Sequence, residues 1–340
     1  MFKAKCFDRR VLCGFDIVVR PEKSFYDAYM NWQTVTTQPD ELGESPFWHS
    51  EEQMLYWVDI PGKQLRRLNN FMGTVQNWAM PMEPGCIAPA RTEGLGGDVT
   101  GLVIALRDGI YRAREWGGTL QCLAPAMHDA ATTRFNDGKA DAAGRFWTGS
   151  LYEPRSAPLA ELFSLDARHG KVPLLTRMAG NATIANGLAW SPDNLQVYWA
   201  DTGAHTIRVW DWDLNTNAMT SGRIFRQWPG KPEGWKPGDS GYGGRPDGCA
   251  VDARGNYWVA MFEGARVLQL SPTGEVLAEV AVPARCPTMP CFGGDDLKTL
   301  YLTTARKGRP ADELAQYPDS GCVFSMRVDV PGLLVNYFVD

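Results

Sequence analysis

Four side chains in this sequence could share one piece of chemistry. Glu44 stands in "LGESPFW", Asn136 in "RFNDGK", Asn186 in "ANGLAW" and Asp247 in "RPDGCA". Each precedes an aromatic pair by a nearly fixed distance, the pairs being Tyr56-Trp57, Phe146-Trp147, Tyr198-Trp199 and Tyr257-Trp258. Two carboxylates with one or two amides supply hard oxygen donors, a set suited to Ca²⁺, Mg²⁺ or Mn²⁺ and acceptable to Zn²⁺. A cation with only three protein ligands keeps positions open for water and substrate, the pattern of a catalytic site. Taken singly, an Asn-Gly such as Asn186-Gly187 is an ordinary turn. Four such groups in register point to a shared role.

Something must bring these distant residues together. Around them the chain reads as short runs of β-formers separated by turns of Asp, Asn, Gly and Pro, as in "LAWSPDNLQVYWADTGAHTIRVWDWD". No long stretch carries a 3.6-residue apolar period. A further unit fits between Glu44 and Asn136, as "CIAPAR" followed by "GLVIALRDGIYRAR", and a sixth begins near Thr288. Four strands per unit of roughly 40–60 residues, six times over, predict an all-β six-bladed β-propeller with a central metal-binding channel. The innermost strand of each blade lines that channel, so residues placed just before those strands should converge at one mouth. Residues 1–30 are expected to be an N-terminal extension, capping a blade or disordered, and 31–340 a single propeller domain. The Gly- and Pro-rich segment 226–246 is a candidate lid beside Asp247. Asp141 with Gly144 and Asp252 with Gly255 are expected in turns between strands, and Asp59 and Asp201 to bond backbone amides.

The bulk composition excludes several classes. The chain has 340 residues, of which 44% are hydrophobic and 21% charged, the balance of a soluble globular protein. A net charge of −5 argues against a nucleic-acid partner. The eight cysteines are scattered with no C-x-x-C pair, which points to buried free thiols in a reducing, cytoplasmic setting. Asp16 interrupts the apolar run near the N-terminus, against an export signal, and "LVIAL" is too short to cross a membrane. "GDSG" at 238–241 resembles a serine-protease motif, but none of the four histidines sits in a partner motif for a triad. His205, after a D-T-G turn, is expected at the surface.

The ordered motifs "LGESPFW", "RFNDGK", "NGLAWSPD", "RPDGCAVD" and "FGGDDLKTLYLTTA" resemble those of the gluconolactonase, regucalcin (senescence marker protein) and luciferin-regenerating enzyme family. The resemblance runs from about residue 40 to the C-terminus. It implies a six-bladed propeller holding one divalent cation, with Ca²⁺ the first expectation and Zn²⁺, Mn²⁺ or Mg²⁺ the alternatives. It also implies hydrolysis of a sugar lactone, with Glu44, Asn186 and Asp247 as metal ligands. Arg134 and Asn136 match the family's substrate-contacting pair, and Glu153 lies near where some members touch substrate. Residues 1–30 have no counterpart, and the 226–246 loop is longer than usual.

The chemistry is coherent on its own terms. A cation held by Glu44, Asn186 and Asp247 can polarise a lactone carbonyl and acidify a bound water. Asp247 could bind it through one oxygen and take the water proton with the other, acting as general base. Arg134 offers a fork of donors for sugar hydroxyls or a developing anion. A propeller hydrolase of another lactone, ester or organophosphate is the nearest alternative, and a non-catalytic calcium-binding or scaffold propeller the next.

Overall fold

Six four- or five-stranded sheets, antiparallel but for one pair, form the blades in order along the chain. The computed structural model describes residues 32–69, 72–94 and 99–340, so the extension expected over 1–30 lies outside the described residues. The innermost strands are Gly43–His49, Pro84–Arg91, Thr133–Ala140, Ala185–Trp190, Arg245–Val251 and Cys286–Gly293, for blades 1 to 6. Blades 1, 3, 4 and 5 are four consecutive strands each. Blade 6 is closed by Gln33–Thr34, which pairs as its outermost strand with Phe324–Arg327. Joining the first strand to the last blade seals the ring, and radial closure leaves only short edges. The predicted unit count and the sixth unit's start near Thr288 both agree with this arrangement.

Blade 2 has a fifth strand. Phe338–Val339 runs parallel to its inner strand, with Phe338 opposite Ala90 and Val339 opposite Arg91. The C-terminal segment thus lies on the channel side of blade 2.

The aromatic second strands fill the spaces between blades. Trp147 of blade 3 meets Trp190 and Trp212 of blade 4 edge-on, with ring centroids 5.7 and 6.2 Å apart. Burying an indole leaves its N–H in need of an acceptor, and a carboxylate supplies it three times. Trp57 donates to Asp40 (2.7 Å), Trp147 to Asp141 (2.8 Å) and Trp258 to Asp252 (3.0 Å). Asp141 and Asp252 stand in the expected D-x-x-G turns, while Asp59 and Asp201 accept from the backbone amides of Leu42 and Ile184. Of the six described cysteines, all free, five are buried and Cys122 is exposed.

One local irregularity recurs. In blade 1, Glu44 is opposite Val58 and Phe47 opposite Tyr56, so the inner strand spends three residues where its neighbour spends two. The same single-residue bulge separates Phe135 from Gly138, Asn186 from Ala189 and Pro246 from Cys249. A bulge of this kind turns a side chain out of the pleat and increases the local twist. Glu44, Asn136, Asn186 and Asp247 all sit at it. They lie inside the inner strands, and not just before them as the sequence suggested.

Candidate active site

The bulges aim four polar side chains into one buried end of the channel. Glu44, Asn136, Asn186 and Asp247 are each 3–6% exposed, and Arg134 is 8% exposed. Left-handed backbone lets two of the bulges form. Gly187, directly after Asn186, has φ of +55°, and a Cβ there would collide with the Tyr257 hydroxyl. That hydroxyl donates to the Gly187 carbonyl at 2.6 Å. Ser45, after Glu44, holds φ of +50° without being glycine. Its Oγ accepts from the Ile87 amide at 3.0 Å, which ties the strained residue to blade 2.

A chain of hydrogen bonds runs around the ring. Arg134 Nη1 donates to Asn136 Oδ1 (2.7 Å) and to the Phe135 carbonyl (2.9 Å). Asn136 Nδ2 donates to Asn186 Oδ1 (2.7 Å) and to the Ala185 carbonyl (2.9 Å). Asn186 Nδ2 donates to Thr202 Oγ1, which donates to the Pro246 carbonyl, both at 2.7 Å. Asn186 also lies close enough to Asp247 to favour its charged form. Blades 3 and 4 are thereby joined side chain to side chain, and blades 4 and 5 through Thr202 and the Pro246 carbonyl.

Electrostatics divide the ring into two acids that oppose each other and a cation that offsets them. Burial pushes Glu44 well above the usual carboxylate range, and the facing Asp247 and Asp137 push it further, against Arg134. Burial likewise raises Asp247 to about 8, with Arg245 opposing and Asp137 adding to the rise. Buried carboxylates held this close, with Asp247 raising Glu44 and Asp137 raising both, favour a proton or a cation among them. Asp137, on the same bulge as Asn136, is raised by burial and held partly back by Lys139. Its Oδ2 accepts from the Leu188 amide at 3.1 Å, while its buried Oδ1 has no hydrogen-bond partner.

Among the described residues no group of three or more His, Cys, Asp or Glu side chains is arranged to hold a metal ion. A cation here would depend on a mixed set, two carboxylates and an amide. Asn186 Oδ1 fits, because it accepts one bond from Asn136 and keeps a second lone pair.

Glu153 is gripped at both oxygens by Arg107, at 3.0 Å. Its charge still reaches Arg134, where it is the strongest influence opposing the effect of burial. His205 is buried and not at the surface. The 228–244 segment folds back so that Tyr242 Oη lies 2.5 Å from His205 Nε2.

No motif marks the other groups around this mouth. Arg245 starts the blade 5 inner strand, two residues before Asp247, and its buried Nε has no hydrogen-bond partner. Its Nη2 lies 3.5 Å from Glu263, which also binds Lys231 (2.7 Å) and Arg309 (3.0 Å). Arg155, beyond Glu153, is near enough to Arg245 that the Arg245 charge disfavours its own, after the larger effect of burial. No side-chain bond or ion pair ties Arg155 to the described residues. Asp137 was visible beside Asn136, but only the fold shows that it faces the same buried space.

A propeller with a carboxylate–amide–arginine centre buried in its channel defines a class of channel-centred proteins. The chain belongs to the SMP-30/gluconolactonase/LRE-like family, whose pattern matches residues 42–306. It is 43% identical over 298 residues to a 6-deoxy-6-sulfogluconolactonase of Pseudomonas putida, covering 88% of this chain and 95% of that protein. It is 32% identical to regucalcin of Danio rerio, covering 86% and 93%. Among solved structures, a calcium-binding protein, regucalcin, of Agrobacterium tumefaciens superposes with a TM-score of 0.79 over 91% of this chain and 97% of that one. At 23% identity that likeness concerns the fold.

Proposed function

We propose that this chain hydrolyses a sugar lactone at the Glu44–Asp247 end of the channel, opening the ring ester to the aldonic acid. The observation that carries the reading is that two buried carboxylates, Glu44 and Asp247, come close enough for Asp247 to raise Glu44, beside the bonded amides of Asn136 and Asn186. The lactonase at 43% identity supports it, since alignment covers nearly the whole of both chains.

Glu44, Asn186 and Asp247 would hold a divalent cation, which when bound supplies a Lewis acid for the ester carbonyl and a more acidic water. Asp247 takes the proton of the attacking water, work that contributes typically ~10²–10⁴-fold. Asn136 orients Asn186 by its Nδ2 and is itself oriented by Arg134. The N–H groups of Arg134 not used for these bonds face the substrate, where they steady the negative charge that grows on the opening ester. Glu153, held by Arg107, steadies the Arg134 charge and lines the rim.

The relative's substrate, by its name, carries a sulfo group on carbon 6. Arg155 and Arg245 provide two cations at the same mouth, Arg155 with no side-chain hydrogen bond or ion pair among the described residues and Arg245 with an unused Nε. A sulfonated sugar lactone is therefore the substrate this reading favours. The test is proton release from D-glucono-1,5-lactone, D-galactono-1,4-lactone and 6-deoxy-6-sulfogluconolactone. The expected result is catalysis above the spontaneous rate, with the highest kcat/KM for the sulfonated lactone. No acceleration for any lactone would remove the enzyme reading.

A further inference from the structure

The channel has a second end that the lactonase reading does not use. Three residues beyond each bulged site residue stand Phe47, Lys139, Ala189 and Ala250, and these line a cavity of about 300 Å³. At ~3.3 Å per residue the cavity lies about 10 Å from the carboxylates along the channel. In an unbroken strand, residues three apart point to opposite faces. The bulge inserts one residue and resets the alternation, so both sets face the channel.

The lining is mostly apolar, with Ser45, Ser191, Asn194 and Asn336 as its neutral polar side chains, and blades 2 and 6 add Ile87, Met289 and Phe292. It contains no Asp or Glu, and Lys139 is its one charged residue. The Lys139 ammonium spans from blade 3 to donate to the Cys249 carbonyl of blade 5 at 2.5 Å, and it forms no ion pair with the described residues. Asp137, two residues earlier on the same bulged strand, feels the Lys139 charge as the strongest influence opposing its burial. Trp190, which also lines the cavity, has a buried Nε1 with no hydrogen-bond partner. Two donors in an apolar chamber with no acidic group select for an acceptor of negative charge on an apolar body.

The C-terminal segment crosses this end. Pro331 and Gly332 bond to Ala253 and Leu297 in blades 5 and 6, at 2.9 Å each. On the far side Asn336 Nδ2 donates to the Ala140 carbonyl at 3.3 Å, and Phe338–Val339 pairs with blade 2. Between these anchors Leu333, Leu334 and Val335 form one wall of the cavity. Leu333 and Leu334 remain 41% and 65% exposed, so this wall is the thin one.

We propose that the strapped end of the channel is a second binding site, for a small organic carboxylate or sulfonate with an apolar or aromatic body, whose anion pairs with Lys139. Its volume is that of about ten water molecules, enough for a benzene ring with a short acidic side chain. It stands apart from the lactone site and does not depend on that site's chemistry.

The experiment is calorimetric titration of the full chain with 3-phenylpropionate, 3-phenylpropanol and 3-phenylpropylamine, which share one body and differ in head group. The acid should bind one-to-one and at least tenfold more tightly than the alcohol or the amine. Lys139→Met should weaken the acid tenfold or more and leave the alcohol unchanged. Binding of the acid should persist in the presence of chelator and of saturating gluconate. Equal affinities for the three head groups, or no saturable binding of the acid, would overturn the proposal with the unmodified protein alone. Displacement of the acid by gluconate would also overturn it, by placing the acid at the lactone end.

Discussion

The side-chain nitrogen of Asn136 lies 2.7 Å from the side-chain oxygen of Asn186, so two blades meet through a direct amide–amide bond. Asn136 is thereby a positioning residue. It fixes which way Asn186 turns, and hence whether an oxygen or a nitrogen faces Asp247. Replacing it with Ala should weaken divalent-cation binding about 10–100-fold, the usual effect of losing a group that orients a ligand. Calorimetry with Ca²⁺ and Zn²⁺ checks this, and unchanged affinity would remove Asn136 from that role.

Asp247→Asn keeps an oxygen but removes the carboxylate we propose as the base. The turnover number should fall about 10²–10⁴-fold, while KM changes little. Steady-state kinetics on the best lactone separates the two. Turnover within a few-fold of the parent would take the proton-transfer role away from Asp247.

Arg155→Ala and Arg245→Gln should discriminate between substrates. A hydrogen bond to a charged group is worth about 1.5–3 kcal/mol, or roughly a tenfold to hundredfold loss. That loss is expected in kcat/KM for the sulfonated lactone and not for gluconolactone. The Arg155 change is the cleaner one, since Arg245 also meets Glu263 at 3.5 Å. Equal losses on both lactones would mean that the arginines support the mouth without reading the sulfonate.

His205 makes the 228–244 loop sensitive to acid. Burial lowers its pKa below the ordinary 6.5, with Gly203's carbonyl opposing. A base buried in its neutral form contributes stability above pH 6.5, and that contribution is lost as pH falls below it. Charging His205 also converts Nε2 to a donor only, so it could no longer accept from Tyr242. Limited proteolysis within 228–244 should therefore accelerate between pH 7 and pH 5, and His205→Gln should flatten that dependence. A pH-independent cleavage rate in the parent protein would contradict it.

The blade pattern was legible because it is local. Tyr56-Trp57, Phe146-Trp147, Tyr198-Trp199 and Tyr257-Trp258 mark the second strands, and the turns around Asp141 and Asp252 delimit them. The convergence of Glu44, Asn136, Asn186 and Asp247 followed once those units were placed around a ring. The bulges were not legible, since a single extra residue leaves no compositional trace, and they decide that these side chains lie within the strands. Contacts between remote segments were hidden too. Nothing near Glu153 announces that Arg107 will hold it, and nothing near His205 announces Tyr242. Lys139 reads as one more surface lysine until its neighbours across the channel are known.

The most direct measurement is lactone hydrolysis by chelator-treated, dialysed protein as a divalent cation is added back, with metal content verified at each step. The account predicts that activity is lost with the metal and returns in proportion to one equivalent of cation per chain. In Glu44→Gln the same titration should need far more cation to restore any rate. Full activity in verified metal-free protein would contradict a cation-dependent reaction at Glu44, Asn186 and Asp247.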